Sequence, residues 1–294
     1  MTLNSTTDPS PAQTYTVSVP CCVVIPCYNE ADRLPTAEYE HYLRLVRNKE
    51  IRLLFVNDGS RDRTLDVLTS LRDRYMDQVD VLDLQPNRGK AEAVRQGMLK
   101  VIASDRAAVT GFWDADLATP LAQIQDMLTL LASNPRLDLV FGSRVKLLGR
   151  DIQRKAVRHY LGRCFATVVS QLLHLPIYDS QCGAKLFRVT PDFSKVLAQP
   201  FQSRWIFDVE ILTRFLEIHS GDAEQMKERT YEYPLPKWTD VAGSKVHPLD
   251  FLRSFSEMAE IYRQYQNNLR RLSSPAARSA ANHGEAAGSS AEGA

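Results

Sequence analysis

Five strand-length segments, with four stretches of helical spacing between them, constrain this chain more than any other feature. The segments fall at residues 21–26, 51–56, 79–84, 109–113 and 137–141. The first, second and fourth are almost wholly apolar, as strands buried on both faces of a parallel sheet are. Helices are expected between the segments, over 37–48, 64–75, 89–103 and 120–131. Leu65, Leu68 and Leu71 mark one face of the second helix, and Ala93, Val94 and Met98 the inward face of the third. Strand–helix alternation with short connections predicts an α/β fold, a doubly wound and mostly parallel sheet flanked by helices. No internal repeat points to a solenoid.

The pattern changes after Arg144. A long amphipathic helix is expected over 154–175, carrying Arg154, Lys155, Arg158 and Arg163. A polar turn at 179–187 runs into a short strand. A helix over 206–218 carries Asp208 and Glu210, an edge strand over 231–235 is followed by prolines, and a last amphipathic helix covers 249–269. Residues 1–18 read as a disordered leader and 271–294 as a disordered Ala/Gly/Ser-rich tail, leaving one domain at 19–270.

Composition removes several function classes. Lys+Arg 36 against Asp+Glu 35 gives a net charge of +1, which offers a nucleic-acid partner no bulk attraction. The five cysteines are odd in number and lack C-x-x-C spacing, so neither a disulfide framework nor a zinc site is indicated. Reduced thiols in the cytosol are the default. The N-terminus lacks a basic region followed by an apolar core, and no run approaches the roughly 18 apolar residues of a membrane span. The expectation is a soluble or at most peripheral protein. His159, His174, His219 and His247 are scattered without metal-ligand spacing, and Trp113, Trp205 and Trp238 read as core or pocket wall.

The chemistry concentrates where strands end. The fourth segment stops in Asp114-Ala115-Asp116. Two carboxylates this close repel unless a cation sits between them, and a hard divalent ion, Mg²⁺ or Mn²⁺, bridging to phosphate oxygens is the natural occupant. Alone, the pair fits a surface loop better, because the spacing is frequent by chance. Asp58, in Asn57-Asp58-Gly59-Ser60, fits a turn former about as well as a ligand. In a parallel sheet, however, the C-terminal strand ends share one edge, where ligands bind. Tyr28, Glu30, Asp58, Asp114 and Asp116 then converge on one crevice. An aromatic and a carboxylate at the first two ends suit a nucleobase, and the acid pair lies where a pyrophosphate would reach.

Val23-Val24-Ile25-Pro26-Cys27-Tyr28-Asn29-Glu30, Phe55-Val56-Asn57-Asp58-Gly59-Ser60, Asn87-Arg88-Gly89-Lys90 and Asp114-Ala115-Asp116 together resemble the inverting nucleotide-sugar glycosyltransferases of the GT-A fold. Gly142-Ser143-Arg144, Asp179-Ser180-Gln181-Cys182-Gly183-Ala184-Lys185-Leu186-Phe187, Arg204-Trp205-Ile206-Phe207-Asp208-Val209-Glu210 and Gly243-Ser244-Lys245-Val246 are similar to its dolichyl-phosphate β-glucosyltransferase branch, close to the polyprenyl-phosphate mannose synthases. The resemblance covers about residues 20–265. It implies a donor-binding half at 19–145 and an acceptor half at 146–270.

Carried over residue by residue, the resemblance implies that Pro26, Tyr28 and Glu30 line the base and ribose and that Asp58 accepts from the base. Gly89 allows close backbone approach, and Lys90 at a helix start offers charge to phosphate. Asp114 and Asp116 hold the Mg²⁺ or Mn²⁺, Asp116 more directly, with ribose or sugar as the alternative partner of Asp114. Ala118 stands where some relatives place a further polar ligand. The implied activity is transfer of a hexose, glucose from UDP-glucose, onto a polyprenyl or dolichyl phosphate with inversion. The rivals are mannose from GDP-mannose, a hydroxyl acceptor, and a non-catalytic nucleotide-sugar binding protein. A phosphate acceptor needs cations, for which Arg144 with Arg158 or Arg154 would form a clamp. A hydroxyl acceptor needs a base, for which Asp208 is the inward choice. Asp208 and Glu210 have a structural alternative in pairing with Lys185 and Arg204. The implied location is the cytoplasm, with peripheral attachment at the inner face of a membrane as an option.

Overall fold

The computed structural model describes residues 19–46, 50–154, 156–241 and 248–272. The expected leader, the motif at 243–246 and residues 273–294 of the expected tail lie outside the described residues. The chain alternates through β1 (Cys21–Cys27), α1 (Thr36–Leu45), β2 (Ile51–Asp58), α2 (Thr64–Arg74), β3 (Val79–Leu84), α3 (Lys90–Ala103), β4 (Val109–Trp113), α4 (Gln123–Ser133) and β5 (Leu139–Ser143). It continues through β6 (Asp151–Gln153), α5 (Ala156–Leu173), β7 (Ala184–Arg188), α6 (Pro191–Leu197), α7 (Phe207–Ile218), α8 (Ala223–Arg229), β8 (Thr230–Pro234), β9 (Lys237–Thr239) and α9 (Pro248–Leu272). Most bounds match the sequence to within a turn. α4 opens at Gln123 rather than 120 because residues 120–122 close i to i+3 turns through the amides of Gln123, Ile124 and Gln125. α9 extends two residues into the expected tail.

Seven strands form one sheet in the order β3-β2-β1-β4-β7-β5-β8, and β6 pairs with β9 in a separate parallel ribbon. β7 alone runs antiparallel, inserted between β4 and β5. β8 is the edge strand that its following prolines require. Both faces of the sheet are covered. Val23, Ile25, Leu53 and Phe55 pack with α1, α2 and α4 on one side, while Val24, Leu54, Val56 and Phe112 pack with α3, α5, α6 and α7 on the other. Strand side chains alternate between faces, so a strand covered twice must be apolar at every position. Val23, Val24 and Ile25 are fully buried, and each stabilises the fold by roughly 1.5–3 kcal/mol as an upper bound.

The position of β7 organises the site. Its antiparallel register sets Ala184 opposite Trp113 and Arg188 opposite Val109. The turn that precedes β7 is therefore delivered to the edge where β4 ends.

Candidate active site

β1, β2, β4 and β5 are parallel, so their C-terminal ends open onto one edge of the sheet. Pro26, Tyr28 and Glu30 are half-buried at the end of β1. Their loop is latched to the one after β2. Asn29 N–H donates to Ser60 Oγ at 3.0 Å, Arg61 N–H to Asn29 Oδ1 at 2.9 Å, and Glu30 N–H to Thr64 Oγ1 at 2.8 Å. Asn29 has a left-handed backbone (φ 51°), a conformation Asn tolerates better than most residues.

Asp58, expected to accept from a nucleobase, is only 3% exposed. Oδ1 accepts the Arg88 N–H at 2.8 Å, and Oδ2 accepts the Gly89 N–H at 2.8 Å and Asn87 Nδ2 at 2.9 Å. Its carboxylate thus holds the turn that launches α3. Gly89 caps that helix with φ 91°, a region open chiefly to glycine, and Arg204 lies across it with Cδ about 3.5 Å from where a Cβ would stand. Lys90 follows as the first residue of α3.

Lys90 Nζ lies 2.5 Å from Asp114 Oδ1, the two side chains being 43% and 36% exposed. Burial works against the Lys90 ammonium, but Asp114 outweighs it and its pKa is raised. Asp116 accepts the Ala118 N–H at 3.0 Å, and burial together with the Asp114 charge raises its pKa. The turn carrying both acids is fixed from below. The fully buried Tyr39 donates its hydroxyl to Ala115 O at 3.1 Å, Trp113 Nε1 donates to Thr119 O at 2.8 Å, and Leu117 takes φ 53°. Ala118 is buried, with its carbonyl bonded to Thr239 N–H, so it presents no ligand. Among the described residues no group of three or more His, Cys, Asp or Glu is gathered for a metal. The two aspartates suit a divalent ion that takes its remaining oxygens from phosphate and water. A cation would also relieve the repulsion that raises Asp116.

The turn before β7 was legible as a motif, but its roles were not. Gly183 O accepts the Asp114 N–H at 2.9 Å, and a Cβ on Gly183 would overlap the Asp114 carboxylate. Lys185 is 2% exposed and donates to Ser180 O at 3.0 Å and Cys182 O at 2.6 Å. It also pairs with Asp208 Oδ1 at 2.6 Å. Asp208 is inward, as the sequence suggested. It is nevertheless buried and committed to Lys185, with its pKa raised by burial despite that partner. In this geometry its carboxylate holds the Lys185 ammonium. Glu210, two residues on, accepts the amides of Gln202 and Ser203 and pairs with Arg214 at 2.7 Å, another structural role.

Arg144 leaves the end of β5 and turns onto Asp179, with Nε to Oδ2 at 2.5 Å and the second guanidinium nitrogen to Oδ1 at 2.6 Å. Its guanidinium also lies 5.3 Å from the Trp238 ring centroid. Burial opposes the Asp179 charge, but Arg144 prevails and holds the carboxyl well below its usual range. The expected clamp is therefore half neutralised from within. Arg154 packs against α5, with a guanidinium nitrogen 2.5 Å from where a Cβ on Gly162 would stand. Burial and Arg144 push it down to about 10, so it stays charged at neutral pH beside a second guanidinium. Arg158 falls on α5, and its side chain lies outside what is described.

Fold and site together define a glycosyltransferase of the GT-A class. Residues 22–193 match the family described as glycosyl transferase family 2, and the chain belongs to it. It is 35% identical over 243 residues to the dolichyl-phosphate beta-glucosyltransferase of Drosophila melanogaster, covering 79% of this chain and 70% of that protein. The Homo sapiens protein of the same name is 31% identical over 242 residues, covering 77% and 69%. Two solved structures share the fold. Glucosyl-3-phosphoglycerate synthase from Mycobacterium tuberculosis, in complex with Mn²⁺ and UDP-Glc, has TM-score 0.54 and 17% identity, over 85% of this chain and 78% of that one. The mannosyltransferase PcManGT from Pyrobaculum calidifontis, in complex with GDP-Man and Mn²⁺, has TM-score 0.54 and 16% identity, over 95% and 77%.

Proposed function

We propose that this enzyme transfers glucose from UDP-glucose to a polyprenyl phosphate of the dolichyl type, with inversion and with a divalent cation, at a membrane surface. The observation that carries the acceptor is how the acids are committed. Asp58 serves the 87–89 turn, Asp179 serves Arg144 and Asp208 serves Lys185. Asp114 and Asp116 remain for a cation. None of these five is placed to act as a general base, while Arg154 lies charged beside Arg144. A hydroxyl nucleophile must lose a proton, whereas a phosphate monoester is already anionic and needs only cations to seat it. The names of the relatives support glucose and a dolichyl-type lipid.

In this reading Pro26, Tyr28 and Glu30 hold the nucleoside, with Asp58 acting through the loop it fixes. Lys90 exchanges Asp114 for the donor's β-phosphate and stabilises the charge that builds there as the anomeric bond breaks. Asp116 and Asp114 would hold Mg²⁺ or Mn²⁺, which when bound would supply further neutralisation of that leaving group. Arg144 and Arg154 seat the acceptor phosphate, whose oxygen attacks from the opposite face of the sugar.

The test is incubation with UDP-glucose, Mn²⁺ and a short-chain polyprenyl phosphate, followed by mass spectrometry. The expected product is a polyprenyl phosphoglucose, with no product from the matching polyprenol. Glucosylation of the polyprenol but not of its phosphate, or no glucosyl lipid at all, would overturn the reading.

A further inference from the structure

α5 carries two apolar faces, and the fold uses one. Phe165, Ala166, Val169 and Leu173 are buried in the core, and Phe165 meets Phe255 of α9 at 5.7 Å. Val157, Tyr160, Leu161 and Cys164, at i, i+3, i+4 and i+7, form a second stripe that is exposed. Val157 is 71% exposed and Tyr160 69%. The loop before β6 adds Leu147 and Leu148, the latter fully exposed, followed by Gly149, which has no atom within 4 Å of where its Cβ would stand. Arg154, which follows β6, lies against the first turns of α5, with a guanidinium nitrogen 2.5 Å from where a Cβ on Gly162 would stand.

The charge pattern selects what covers this surface. Residues 144–165 contain seven Lys or Arg and one acid, Asp151. Lys146 and Arg150, both exposed, flank the apolar tip. Apolar side chains rimmed by cations match the boundary of an anionic bilayer, where acyl chains lie below negative headgroups. The segment is also continuous with the acceptor bay, since it begins at Arg144 and passes through Arg154.

We infer that the tip at Leu147 and Leu148 and the outer stripe of α5 form a docking surface for anionic lipid bilayers. The inference rests on the proposed lipid-phosphate acceptor and concerns how that acceptor is reached. No helix among the described residues is long and apolar enough to cross a membrane.

The test is co-sedimentation with vesicles of phosphatidylcholine alone or with about one-third phosphatidylserine, comparing the wild type with Leu147→Ser/Leu148→Ser/Tyr160→Ser. Wild type should partition at least about tenfold more strongly onto the anionic vesicles, and the triple variant should lose that gain. Transfer to a short, water-soluble polyprenyl phosphate without vesicles should be unchanged by the substitutions. Equal vesicle binding by both proteins would overturn the inference, as would wild type that ignores anionic vesicles. A wild-type dimer that the variant dissolves without any change in vesicle binding would reassign the face to a second copy. Failure of the wild type on the soluble acceptor would instead count against the proposed function.

Discussion

Gly183 shows how a residue with no side chain can govern a carboxylate. Its carbonyl fixes the Asp114 amide, and its missing Cβ leaves room for the Asp114 side chain. Gly183→Ala should therefore displace Asp114 and cut turnover by roughly 10²-fold, the scale of losing one preorganised transition-state contact. Circular dichroism and thermal melting, run beside steady-state rates, separate that loss from unfolding. Asp208 makes the opposite prediction. As the buried partner of Lys185, it should reveal itself in stability rather than in chemistry. Asp208→Asn leaves the Lys185 charge without its counter-ion, with an expected cost of about 3–5 kcal/mol in urea unfolding. The rate per folded molecule should fall less than about tenfold, without loss of the acidic limb in the pH–rate profile. A loss of rate by several orders of magnitude in a folded Asp208→Asn protein would restore it as a base. The acid pair was legible in the sequence because an apolar strand ended abruptly in charge. The commitment of Asp58 and Asp208 was not, since local spacing says nothing about which distant donor a carboxylate meets.

Among the elements, the turn between α5 and β7 ties the two halves of the site together. Asp179 clamps Arg144 from β5, Glu232 of β8 accepts the amides of Tyr178 and Asp179, and Lys185 of β7 reaches α7. The Asp179 pKa is depressed in the folded state, so the pair contributes fully above the unfolded-state value near about 4. That contribution is lost as pH falls through the folded value. Wild type should therefore lose urea stability steeply below about pH 4, and Asp179→Asn should show a shallower decline from a lower starting point. Identical slopes would mean that the pair does not titrate with folding. The β-α alternation up to β5 was readable because each covered strand must be apolar throughout. The insertion of β7 was not. A five-residue strand, Ala184–Arg188, carries no mark of its direction or of its two neighbours. The short elements β6, α6, α8 and β9 were missed for the same reason, being too brief to show a period.

At the scale of the molecule, one sheet edge collects a lysine from a helix start, two acids from the end of β4 and the Arg144 guanidinium from the end of β5. Both faces of the sheet are buried, so the strand ends that carry these groups are anchored in close-packed core. The proposed mechanism depends most on Asp114 and Asp116 forming a cation-dependent site for the donor's diphosphate. Calorimetric titration of UDP-glucose tests it most directly, with Mn²⁺ or with EDTA, on wild type and on Asp116→Asn. Wild type should bind at least about tenfold more tightly with Mn²⁺, or about 1.4 kcal/mol. Asp116→Asn should bind weakly in both conditions. Equal affinity with and without the metal, or an Asp116→Asn protein that keeps the full Mn²⁺ gain, would contradict the account.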